Sequence, residues 1–111
     1  MKDPADAVES FLKALADKNR LDIIKFLRNG EKTSLEIQEM LKKGQSTISQ
    51  QLKILILANI VTYRQEGVKK YYYIKDPKIF QLLSQIISFI LSQSPEKVDQ
   101  VHSLGVMDTL L

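Results

Sequence analysis

The feature that most restricts the fold of this chain is one helical stretch, Gly44 to Ala58, succeeded without a break by two β-forming runs. At about 100° per residue, Ile48, Leu52, Leu55 and Ile56 fall on one side, and Gln45, Ser46, Ser49, Gln50 and Lys53 on the other. The apolar side requires a core. The polar side is unusual, because a solvated helix face ordinarily carries Lys and Glu, whereas this one offers amides and hydroxyls with a single Lys. Such groups reach base edges and phosphate oxygens in a major groove, and Gln can engage adenine with two bonds. Alone, the same pattern also fits an amphipathic core helix with a neutral surface.

The residues after the helix separate those readings. Ile60 to Arg64 and Val68 to Ile74 are β-branched and aromatic runs joined by Gln65-Glu66-Gly67, which predicts a short hairpin with Gly67 supplying positive φ. A polar-faced helix leading into a basic hairpin is the pattern of a winged helix-turn-helix. The expected fold is therefore mainly α with a small β-hairpin and about five to six helices. Arg64, Lys69 and Lys70 are expected at the hairpin tip, straddling a phosphate backbone beside the groove that the helix enters.

Charge is distributed to match. Residues 1–41 carry net −1, residues 76–111 net −2, and residues 42–75 net +6, from Lys42, Lys43, Lys53, Arg64, Lys69, Lys70 and Lys75 against Glu66 alone. A polyanion drawn to that segment meets near-neutral or acidic surface elsewhere, as expected of a protein with one nucleic-acid face.

At 111 residues the chain supports one domain, small enough for a dimer interface to matter to its stability. We assign residues 1–93 to the DNA-binding and dimerisation domain and residues 94–111 to a C-terminal helical extension or tail. No apolar run approaches the roughly 18 residues of a membrane span. The segment Met1 to Asp6 lacks the apolar core of a signal peptide, so a cytoplasmic location is expected. The absence of cysteine excludes disulfides, thiolate metal sites and thiol redox sensing.

Taken in order, Asp3-Pro4 reads as N-cap and first helical residue, with Ala7, Val8, Phe11, Leu12 and Leu15 as the stripe of a helix from about Pro4 to Leu15. Asp17 can cap a second helix, carrying Leu21, Ile23, Ile24, Phe26 and Leu27, that Asn29-Gly30 stops. Thr33 and Glu36 have capping-box spacing, so a third helix starts at Ser34 and is expected to bury Leu35, Ile37, Met40 and Leu41. Lys42, Lys43 and Gly44 form the turn into the polar-faced helix. After the hairpin, Asp76-Pro77 opens the most apolar segment, Ile79 to Leu91. That helix is apolar nearly all round and must bury a second face. With the N-terminal helix it is expected to form a two-fold interface between identical copies, through Val8, Phe11, Leu12, Phe80, Leu83, Ile87, Phe89, Ile90 and Leu91. Ser94-Pro95-Glu96 starts a further short helix to about Ser103.

Three segments together resemble the ArsR-type transcriptional regulators: Leu15 to Leu27, Gln45 to Leu55 and Arg64 to Ile74, in the family's order and spacing over roughly residues 5–93. The resemblance implies homodimeric winged-helix repressors of palindromic operators in double-stranded DNA. By matching position it implies DNA contact at Gln45, Ser46, Thr47, Ser49, Gln50 and Lys53. It also exposes departures. Members that sense metals through paired Cys on the third helix have them where this chain has Thr33 and Leu35. Those that bind zinc or cobalt on the fifth helix use an Asp and three His. Here Asp76 matches, but the His positions hold Lys78, Phe89 and Ser92, and a lone carboxylate cannot hold a transition metal tightly. No metal or other cofactor is therefore expected, and His102 reads as a surface residue.

Catalysis has no support either. The chain lacks a Cys nucleophile and a Gly-rich phosphate loop, and Glu36 and Glu39 read as cap and solvated surface rather than an acid/base pair. The leading expectation is a sequence-specific DNA-binding repressor, with Lys42, Lys43, Arg64, Lys69 and Lys70 on phosphates and Gln45, Ser49 and Gln50 reading bases. The alternative is a winged-helix module whose basic face docks an acidic protein. Both a small apolar effector between the fifth helices and repression without any effector fit the pattern.

Overall fold

The computed structural model describes residues 3–93. Its elements are α1 (Pro4–Leu15), α2 (Lys18–Leu27), β1 (Lys32–Thr33), α3 (Ser34–Leu41), α4 (Gln45–Leu57), β2 (Val61–Glu66), β3 (Lys69–Ile74) and α5 (Lys78–Gln93). The chain divides between Lys75 and Asp76 into two compact units, the first holding α1 to β3 and the second α5. The further helix expected from Ser94, the tail and His102 lie outside the described residues.

Local chemistry sets the helix ends. The Asp17 side chain accepts from the Arg20 N–H at 3.1 Å and starts α2. At α3 the Glu36 N–H donates to Thr33 Oγ1 at 3.2 Å while the Thr33 N–H donates to Glu36 Oε1 at 2.9 Å, closing the expected capping box. Helix α4 ends in a Schellman arrangement: Ile60 N–H donates to the Leu55 carbonyl, Asn59 N–H to the Ile56 carbonyl, and Asn59 takes φ +60°. Asn tolerates that left-handed position better than most residues. The motif turns the chain directly from α4 into β2.

The first unit is centred on α2, α3 and α4, with Ile23, Ile24, Leu27, Ile37, Ile48, Leu52, Leu55, Ile60 and Val61 buried. Each such side chain contributes roughly 1.5–3 kcal/mol of burial. Helix α3 departs from expectation, since Leu35 is 61% and Met40 60% exposed, Ile37 is buried and Leu41 half-buried. Leu35 lies about 160° around the helix from Ile37, so a helix this short cannot bury both against one core.

The turn of the hairpin comes later than expected and is one residue shorter. The ladder runs through Gln65↔Lys70 and Glu66↔Lys69, which leaves Gly67-Val68 as a two-residue loop. Gly67 has φ +58°, as a primed two-residue turn requires at its first position. Strand β1 completes an antiparallel sheet in the order β1-β3-β2, with Lys32 opposite Tyr72 and Thr33 opposite Tyr71. Two residues carry no strand periodicity, which is why β1 cannot be recognised from sequence.

In the second unit Asp76 Oδ1 accepts from the Lys78 N–H at 3.0 Å and caps α5. Ile79, Leu83 and Ile87 are buried, whereas Leu82, Ile86, Phe89 and Ile90 are exposed. Leu83 and Ile87, two of the expected interface residues, are among the buried ones. Val8, Leu12, Phe89 and Ile90 are exposed, and Phe11, Phe80 and Leu91 are half-buried.

Candidate nucleic-acid interface

Helix α4 presents the site because Ile48, Leu52 and Leu55 fix its inner side in the core. With that side anchored, Gln45, Ser46, Ser49, Gln50 and Lys53 are exposed and Thr47 is half-buried. Gly44 is the N-cap and supplies no side-chain hydrogen bond, and no acid occupies the first turn. The first-turn N–H groups that a Ser or Asp would satisfy are left for another acceptor, and the positive end of the helix dipole adds to their attraction for an anion. Lys42 and Lys43 stand in the turn just before, both exposed. Lys42 takes a left-handed conformation, φ +55° and ψ +45°, that a non-glycine residue adopts at a cost of about 1 kcal/mol. No local signal marks this position, because Lys is not a residue that favours left-handed backbone.

The wing has two chemically different faces. Tyr63 and Tyr72 pair across the strands with ring centroids 5.6 Å apart, and Lys70 Nζ sits 4.7 Å from the Tyr63 centroid. On the opposite face Arg64 lies over the Tyr71 ring at 4.4 Å. Lys69 and Lys70 are exposed, and at the loop Val68 is 96% exposed.

Arg64 does not stand at the tip. It lies within β2, where its Nε donates to Glu31 Oε2 at 2.9 Å and its Nη2 to Glu31 Oε1 at 2.6 Å, while Nη1 pairs with Glu66 Oε1 at 3.0 Å. Its hydrogen bonds hold the Glu31 carboxyl below the usual carboxylate range, and the two carboxylates raise the guanidinium pKa further. The expected position of Arg64 at the hairpin tip is corrected on this ground. Nothing local in the sequence singles out Glu31, since its partner is 33 residues away.

A second long-range pair is equally absent from the sequence expectations. Arg20 Nη1 donates to Gln51 Oε1 at 2.7 Å, Nε to the Ala14 carbonyl at 2.7 Å and Nη2 to the Lys13 carbonyl at 3.1 Å. Its side chain is only 13% exposed. One guanidinium thus ties the end of α1 to the start of α2 and to the middle of α4. The sequence does carry a signal for this pair: Arg20 shares a helix side with Ile23, Ile24 and Leu27, and Gln51 shares one with Ile48, Leu52 and Leu55. Polar residues on core stripes require partners.

Of the positions that the resemblance implies for metal ligands in metal-sensing members, Thr33 is engaged in the capping box and Asp76 Oδ1 accepts from the Lys78 N–H. Among the described residues, no three or more of His, Cys, Asp and Glu gather as a metal site, and no helix is long and apolar enough to cross a membrane.

Comparison with known proteins points the same way. Residues 17–63 match the family model for bacterial regulatory proteins of the arsR family. The chain is 42% identical over 81 residues to the uncharacterised HTH-type transcriptional regulator MJ1325 of Methanocaldococcus jannaschii, covering 72% of this chain and 90% of that one. It is 34% identical over 89 residues to an arsenical resistance operon repressor of Bacillus subtilis, covering 79% and 85%. Its fold is similar to that of a homodimeric winged helix-turn-helix DNA-binding domain from Mycobacterium bovis, with a TM-score of 0.70 at 30% identity over 79% of this chain and 87% of that one.

Proposed function

Because the chain belongs to the ArsR family of bacterial regulatory proteins, we propose that it is a homodimeric repressor reading a palindromic operator in double-stranded DNA. The observation that carries this reading is the exposed amide and hydroxyl face at the uncapped start of α4, with Lys42 and Lys43 immediately before it. Two copies of α4 enter successive major grooves roughly 34 Å apart. Gln45, Ser49 and Gln50 read base edges, and Ser46, Thr47 and Lys53 complete the contact surface. Lys42, Lys43, Lys69 and Lys70 meet phosphates. The exposed apolar residues of α1 and α5, Val8 and Leu12 with Phe89 and Ile90, supply the surface that a second copy covers.

Four phosphates per subunit give a slope of log affinity against log salt near −7. A gel shift on DNA upstream of the protein's own gene, repeated under excess random DNA, tests the reading. Gln50→Ala should cost on the order of 1–3 kcal/mol on the operator and leave random DNA unaffected. Replacing both Lys69 and Lys70 by Ala should weaken all sequences alike and flatten the slope by about 3.6. Equal losses on operator and random DNA for Gln50→Ala would remove its base-reading role.

A further inference from the structure

The most closely paired cation of the wing is the one that a duplex would be expected to use. A guanidinium recognises phosphate by a two-point fork, and Glu31 occupies that fork on Arg64 with bonds of 2.9 and 2.6 Å. Glu66 takes the remaining nitrogen at 3.0 Å, and the Tyr71 ring lies beneath the guanidinium plane. The cluster is at the surface, with side-chain exposures of 44% for Arg64, 37% for Glu31 and 66% for Glu66. One positive and two negative charges leave it net negative, next to the exposed Lys69 that pairs across the strands with Glu66.

We infer that Glu31, assisted by Glu66, is a built-in phosphate mimic that withholds Arg64 from DNA and so sets how weakly the protein holds non-operator sequence. The inference rests on the DNA-binding reading above. Non-specific binding comes almost entirely from phosphate neutralisation, and such complexes slide to whatever register uses the most cations. An operator complex is held in register by base contacts, so it has less freedom to recruit an additional Arg. Occupying that Arg internally therefore lowers affinity for random DNA more than for the operator. It is a specificity device that acts away from the base-reading helix.

The experiment uses the full chain and fluorescence anisotropy on an operator duplex and a random duplex of equal length, across a salt series. Glu31→Gln keeps the side-chain shape and removes the charge, and Glu31→Gln with Glu66→Gln removes both. Freeing Arg64 in each of two subunits should steepen the random-DNA slope by about 1.8 and so raise that affinity by up to about sixtyfold at 0.1 M salt relative to 1 M, with a smaller gain on the operator. Adding Arg64→Gln to either variant should abolish the gain. Glu66→Gln alone supplies a second, milder release if Glu31→Gln impairs folding, and circular dichroism establishes that each variant is folded. An unchanged or weakened slope in the charge-removed variants would overturn the inference, as the carboxylates would then be structural only. So would a slope flattened by Arg64→Gln in the otherwise unaltered protein, because Arg64 would then already be on phosphate. Absence of any DNA binding by the unaltered protein would instead count against the repressor reading.

Discussion

Arg20 is the side chain whose loss has the most clearly defined consequence. Truncation to Ala removes bonds of 2.7 Å to the Ala14 carbonyl and 2.7 Å to Gln51, together with a 3.1 Å bond to the Lys13 carbonyl. The exposed Lys13 carbonyl regains water, so its loss is small. The other two are charge-assisted bonds of a largely covered side chain, worth about 1.5 kcal/mol each at the low end of their range, giving a loss of about 3 kcal/mol. With a urea m-value of about 1.5 kcal/mol/M for a chain of this size, the midpoint should fall by about 2 M. The assay is urea unfolding monitored by circular dichroism, with protein concentration held constant because dimerisation adds to apparent stability. Pairing Arg20→Met with Gln51→Leu sharpens the test. Each single change strands a polar partner, whereas the double change removes both, so it should cost about 1.5 kcal/mol less than the sum of the two. An Arg20→Ala protein within about 1 kcal/mol of the original, or strict additivity of the pair, would refute the view that this bridge holds α1, α2 and α4 together.

Two further changes separate stability from binding and define the acid response. Lys42→Gly relieves a left-handed residue at the end of α3, so the fold should gain about 0.5–1 kcal/mol while the DNA salt slope flattens by about 1.8, and a less stable variant in thermal melts would exclude strain at this turn. The Glu36 carboxyl is held below its ordinary value of 4.5 by hydrogen bonds from the Thr33 backbone and side chain. A depressed folded-state pKa means that this stability is present above about pH 4.5 and lost as pH falls through the lower folded value. Glu36→Gln should therefore flatten the acid limb of a stability profile as pH falls below about 4.5, and an unchanged limb would show that the box does not titrate with folding.

The elements readable in the sequence are those whose causes lie within one or two turns of chain. Asp17, Thr33 and Asp76 cap the helices that begin just after them, and the apolar spacing of Ile48, Leu52 and Leu55 orients α4 so that the amide and hydroxyl side faces out. The same periodicity misjudges α3, where it assigns Leu35 and Met40 to a core that a single short helix cannot bring them both to face. The hairpin is recognisable from its residues, but local pattern places its turn too early. Only the cross-strand ladder shows that Gln65 and Glu66 still pair and that Gly67-Val68 makes the turn.

What the sequence determined by itself is therefore a set of helices, a basic β-hairpin and a polar-faced helix leading into it, because caps, glycines and period-3.6 stripes act between near neighbours. Tertiary structure alone decided which charges remain available. Arg20 and Gln51 are 31 positions apart and Glu31 and Arg64 are 33 apart, and each pair meets only after the chain has turned through intervening elements. Glu66 is a local neighbour of Arg64, but the two-point contact with Glu31, which sets Arg64 apart from the exposed Lys69 and Lys70 of the same hairpin, is not. That distinction depends on the chain returning Glu31, just ahead of β1, to the sheet, a consequence of packing that no local pattern encodes.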